Sequence, residues 1–104
     1  MNTHHGTWAL AATATEVGRD SSDLVFVSAT PVSVLLTIIE PFESTVPVTV
    51  RVNGSDVPDG TLEASETSRT FLFADVTSIH LVVGAVLPGS DRIRISGTYE
   101  ISLV

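Results

Sequence analysis

Ser78, His80 and Asp75 carry the residue types of a hydrolase triad, in which histidine takes the serine proton and a carboxylate orients the imidazole. Their spacing does not build one. Ser78 and His80 stand two apart, which in a strand sets them side by side on one face, and no nucleophile elbow surrounds the serine. The pairs Glu40 with Glu43 and Glu63 with Glu66 have the residue types of a glycosidase acid and base. A chain this short, dominated by apolar and small polar residues, offers little room for the cleft they would need. His4-His5 supplies imidazoles for a metal ion. Asn53, Asp56 and Asp59 crowd one glycine-bearing loop with hard oxygen ligands suited to calcium, but without the EF-hand spacing. Turn chemistry accounts for that loop without a cation. The sequence therefore assigns no catalytic residue, no cofactor and no metal site, and the chain reads as a non-enzyme.

The elements that carry these residues follow from composition and pattern. The 104 residues suit a single domain with one modest core. Charged residues make up only 16%, lysine is absent, and the basic groups are Arg19, Arg51, Arg69, Arg92 and Arg94. Twelve acids against five basic groups leave a formal net charge of -7. Such a surface repels phosphate backbones and anionic lipid, so nucleic acid and membrane surfaces are excluded as partners. No small-molecule substrate is expected either. With no cysteine, a disulfide framework, a thiolate zinc site and a cysteine nucleophile are all ruled out. No run approaches the roughly 18 apolar residues of a membrane span. The N-terminus has no recognisable signal peptide.

The clearest element is the last. From Arg92 to Val104, the residues Ile93, Ile95, Tyr99, Ile101 and Leu103 share one parity and polar residues hold the other, with Gly97 interrupting the apolar row. That is the pattern of a strand buried on one side, and its glycine marks a bulge or a close backbone approach. Residues 1–23 read as an N-terminal arm that becomes a first strand, bearing the only Trp, followed by a polar loop at 18–23. Residues 24–104 read as a β-sandwich body. Its strands are Leu24–Ala29, Val32–Glu40, Val46–Val52, Thr61–Ala64, Thr70–Ala74, Val76–Val83 and the terminal one. Asn53-Gly54 signals a hairpin and Pro58-Asp59-Gly60 a second turn. The expected fold is all-β: a single-domain sandwich or jelly roll of about eight antiparallel strands with an extended arm. An immunoglobulin-type domain is the nearest competitor, but its Cys-Trp-Cys core is missing.

Several stretches of the chain resemble the small jelly-roll pilins of bacterial endospore appendages. Val46-Pro47-Val48-Thr49-Val50 is similar to the strand that leads into their glycine hairpin. The run Ala64 to Phe71, then Asp75-Val76-Thr77-Ser78-Ile79, resembles their Ser/Thr-rich approach to a Phe strand and the strand after it. Gly97 to Leu103 resembles their closing strand, and Ala11-Ala12-Thr13-Ala14-Thr15 their first. The resemblance implies a fibre subunit whose flexible N-terminal connector reaches a neighbour. Family members carry cysteines in that connector which cross-link stacked subunits, whereas this chain has His4, His5 and Trp8 there. It looks like a distant, cysteine-free relative, and covalent cross-linking does not carry over.

Edge strands point the same way. Native sheets guard them with lysines, prolines or charges, and here the strands from Val32 to Ile39 and from Val46 to Val52 are nearly uncharged. The expectation is a self-assembling homopolymer, held non-covalently by β-augmentation and the arm, with Trp8, Leu10, Thr13, Thr15 and Val17 at the assembly interface. The assembled form is expected outside the cell, on a cell or spore surface. The opposing readings are an arm that pairs within its own sheet, and a monomeric or small-oligomer binding module, carbohydrate-binding or virion-decorating. Solvent-facing aromatics would favour the binding module.

Overall fold

The computed structural model describes residues 3–12, 22–40, 47–63, 66–83 and 93–104. Six strands follow in order: β1 (Thr3–Ala12), β2 (Ser22–Ile39), β3 (Val48–Val52), β4 (Ser55–Leu62), β5 (Ser68–Val83) and β6 (Ile93–Leu103). They form one antiparallel sheet in the order β1-β6-β2-β5-β3-β4. The all-β class is as expected. Among the described residues eight separate strands and two facing sheets are not seen: two expected breaks, at Thr30-Pro31 and Asp75, fall inside strands, and Pro58-Asp59-Gly60 belongs to a strand instead of a turn.

Thr30-Pro31 does not end a strand. The register of β2 on β5 steps from Val27↔Ser78 to Val32↔Val76, so the residues between bulge out and the strand resumes. A proline is tolerated at a bulge because no ladder hydrogen bond is asked of it. The expected break at Asp75 is likewise a bend inside β5, where Asp75 takes φ 56°. Pro58-Asp59-Gly60 lies within β4: the register runs from Arg51↔Asp56 to Thr49↔Thr61, and Asp59 sits at φ 62°. Only Asn53-Gly54 is the hairpin turn its residues predict, with φ of 54° and 85°.

The long, bent strands β2 and β5 let one sheet coil on itself. β1 is separated from β5 by β6 and β2 in the sheet, yet it packs near both β2 and β5. Inward side chains from all six strands therefore share one core, including Trp8, Val34, Leu36, Ile38, Val48, Val50, Leu62, Ile79, Leu81 and Ile101. In β6 the expected apolar face is largely observed, with Ile95 and Ile101 buried and Tyr99 and Leu103 packed against the core. Phe71 and Phe73 stack at 5.7 Å on the inner side of β5, and the Arg69 guanidinium lies 5.1 Å from the Phe71 ring centre. Among the described residues no helix is long and apolar enough to cross a membrane.

Candidate functional site

The seam between β1 and β6 is where the N-terminal residues singled out from the sequence fall. β1 alternates: Trp8 and Leu10 point inward, at 1% and 3% exposure, while Thr3, His5, Thr7 and Ala9 face out. Trp8 pairs with Gly97 across the ladder, and two residues away Gly6 pairs with Tyr99. Each aromatic lies over the glycine opposite. A Cβ on Gly97 would lie 2.9 Å from Trp8 Cζ2 and overlap the Ile39 carbonyl oxygen, and one on Gly6 would overlap the Tyr99 ring. Trp8 Nε1 donates to the Thr98 carbonyl at 3.1 Å, which satisfies the only polar atom of the buried indole. The close approach expected at Gly97 is thus made for Trp8. Nothing in β1 alone announces it, because the glycine stands far along the chain.

Within this chain Trp8 and Leu10 occupy their own subunit's core. Thr13, Thr15 and Val17 lie outside the described residues. On the edge of β1 away from β6, the Ala9 N–H donates to the Asp23 carboxylate at 3.0 Å. Since backbone groups alternate along an antiparallel pair, Thr3, His5 and Thr7 direct their N–H and C=O the same way as Ala9, away from β6. His5 also stands 3.8 Å from Glu100.

The other candidate groups are occupied by structure. Asn53 Oδ1 accepts from the Thr77 N–H (2.8 Å), the Thr77 hydroxyl (3.0 Å) and the Ser78 N–H (3.2 Å), and its Nδ2 donates to the Asp75 carbonyl. Asp56 pairs with Arg51 at 2.8 Å. Asn53 is thus engaged with the bend in β5, and Asp56 with Arg51. Glu66 accepts from the Glu63 N–H at 2.9 Å, closing a turn. Glu40 is buried, and desolvation holds its carboxyl above the usual carboxylate range; Glu43 lies outside the described residues. His80 is half-buried, and its Nδ1 has no partner among the described residues, so neither Ser78 nor Asp75 orients it. No group of three metal-ligating side chains occurs among the described residues.

No protein-family model matches the sequence, and no curated protein matches it. Among solved structures the chain is similar to a protein of the Bacillus endospore appendages, described as a family of disulfide-linked pili. The two share 9% identity and a TM-score of 0.45 over 99% of this chain and 88% of that one. Disulfide linkage needs cysteine, and this chain has none.

Proposed function

We propose that the chain is a structural subunit that assembles with copies of itself into a surface fibre, residues 1–23 serving as connector and 24–104 as body. In this reading β1 leaves its own β6 and docks on the β6 of the next copy. Trp8 and Leu10 go with it, and Thr13, Thr15 and Val17 continue the same interface. The observation that carries the reading is how β1 is held. It is the N-terminal strand, it stands at the sheet edge, and its ladder is to β6 alone. Its anchors are the two aromatic–glycine pairs, so a neighbour's strand meets the same slot and remakes the same contacts.

Such a head-to-tail contact is heterologous and extends into a filament unless the rotation closes a ring. Without cysteine the contact is non-covalent, and denaturant alone, with no reductant, is expected to dissolve it. The described aromatics offer no sugar platform, since Trp8 and Phe71 are buried and Phe26, Phe73 and Tyr99 pack against the core. Electron microscopy of the concentrated protein tests the reading, with filaments expected. Deleting residues 1–17 is expected to stop elongation. A synthetic Thr3–Ala12 peptide is expected to restore the fold of the truncated body without restoring filaments. Normal filaments from the truncated chain, or a full-length chain that stays monomeric at high concentration, would sink the proposal.

A further inference from the structure

Among the described residues, two backbone edges of this sheet lie open side by side. One is the outward edge of β1 over Thr3, His5 and Thr7; the other is the start of β2. Ser22 to Val27 pair with β5 on one side, and β6 joins β2 only from Val34 onward. Between the two edges runs a groove lined by His4, His5, Val25, Phe26, Val27 and Tyr99. Asp23 closes it at one end by taking the Ala9 N–H. From Thr7 back to Thr3, no described residue caps the edge. Val27 stands 65% exposed beside it.

The far edge of the sheet is built differently. β4 carries Pro58, which has no N–H to offer, together with Asp56, Asp59 and a bulge. Those features are how sheets refuse an added strand. The Thr3–Thr7 run has no acid, lysine or proline. In a chain with a formal charge of -7, it is the edge where two like-charged copies can approach without stacking carboxylates.

We infer that the β1 edge is a two-fold interface that pairs with the β1 edge of a second copy. The pairing is antiparallel and centred on His5, so that His5 faces the partner's His5, and Thr3 faces the partner's Thr7. The centre follows from where the edge is open: three outward residues are available, and Asp23 stops the run at Ala9. Outward residues of an antiparallel pair exchange both backbone hydrogen bonds. The interface uses the outer side of β1, whereas strand exchange uses the side facing β6. It therefore stands whether β1 stays at home or is donated.

The chain's lack of cysteine makes the test clean. In the proposed register the two residues at position 5 have Cα atoms about 5.5 Å apart, inside the roughly 4.4–6.8 Å span of a disulfide. Under mild oxidation His5→Cys is expected to form covalent pairs. Thr7→Cys alone is expected to form none, because its partner position is Thr3, and the Thr3→Cys/Thr7→Cys double variant is expected to link. His5→Pro removes an N–H that the chain's own ladder does not use. It is expected to keep the β spectrum and to abolish linking in the Thr3→Cys/Thr7→Cys variant. Linking of the Thr3→Cys/Thr7→Cys pair that survives His5→Pro, linking by Thr7→Cys but not His5→Cys, or a wild-type chain that sediments as a monomer at high concentration would overturn the interface. Filaments with no linking at position 5 would leave the fibre reading and remove this one, and linked pairs without filaments would do the reverse.

Discussion

Asn53 Nδ2 donates to the Asp75 carbonyl oxygen at 2.8 Å, tying the β3–β4 hairpin turn to the bend in β5. Both residues sit at positive φ, 54° and 56°, a region that costs an ordinary L-residue free energy but that Asn and Asp tolerate. The same amide accepts from the Thr77 and Ser78 N–H groups, and the Asn53 N–H donates to the Ser78 carbonyl at 3.0 Å. One side chain thus satisfies backbone groups that the bend takes out of the ladder.

Asn53→Gly keeps the backbone conformation and removes the side chain. These groups are exposed and water can replace the lost partners, so the net loss is expected to be about 0.5–1.5 kcal/mol. Asn53→Ala should cost more, because it adds the strain of a Cβ at positive φ. Denaturant midpoints of the two variants against wild type measure the network and the strain separately. Equal midpoints for all three would mean that the bend holds without Asn53.

The two glycines under aromatics should respond differently. At Gly97 an added methyl meets the Ile39 backbone as well as the indole, and backbone of a neighbouring strand cannot move aside cheaply. At Gly6 it meets the outer end of the Tyr99 ring, which can rotate or shift. Gly97→Ala is expected to destabilise by about 2 kcal/mol or more, in the range for overpacking a core, and Gly6→Ala by less. Trp8 is the only Trp, so its fluorescence reports directly whether β1 stays docked.

Truncating the anchor itself should be severe. Trp8→Ala is expected to lose about 3–5 kcal/mol, as for other large aromatics removed from a core. Trp8→Phe keeps much of the volume and forfeits the bond to the Thr98 carbonyl, so about 1 kcal/mol is expected. Thermal melts followed by circular dichroism would rank them. A melting point unchanged in Trp8→Ala would show that β1 adds nothing to the body.

Ile95 and Ile101 test the inner face of β6. Aspartate at either position would leave an unpaired charge in the core, and neither Ile95→Asp nor Ile101→Asp is expected to fold. A soluble variant with a cooperative transition would contradict the packing of that face.

Glu40 gives a pH dependence with a definite sign. Burial raises its folded-state pKa above the unfolded value of 4.5. The group's contribution is therefore fully present below that unfolded value and is lost as pH rises through the folded one. Glu40→Gln is expected to be more stable than wild type at neutral pH, with the gap closing toward pH 4. Its backbone bond to the Thr67 carbonyl at 2.7 Å does not involve the side chain and should persist. A gap that widens in acid would reverse the assignment.

Period-two alternation in β3 and β6 and the Asn53-Gly54 hairpin were legible from local residues alone, because side-chain direction and turn dihedrals are properties of a few neighbouring positions. The same holds for the exclusions that follow from having no cysteine, no lysine and a net negative charge. Where strands end was not legible. Thr30-Pro31, Asp75 and Pro58-Asp59-Gly60 read equally as turns or as bulges, and only pairing with a neighbouring strand decides which. Whether strands make one sheet or two depends on the same non-local pairing, so the coiling of β2 and β5 around a single core belongs to the tertiary structure. Trp8 was visible as an outlier, but its seat was not: Gly97 and the Thr98 carbonyl reach it only because β6 returns beside β1. The open edge at Thr3, His5 and Thr7 is likewise a property of the folded sheet, set by Asp23 arriving from β2.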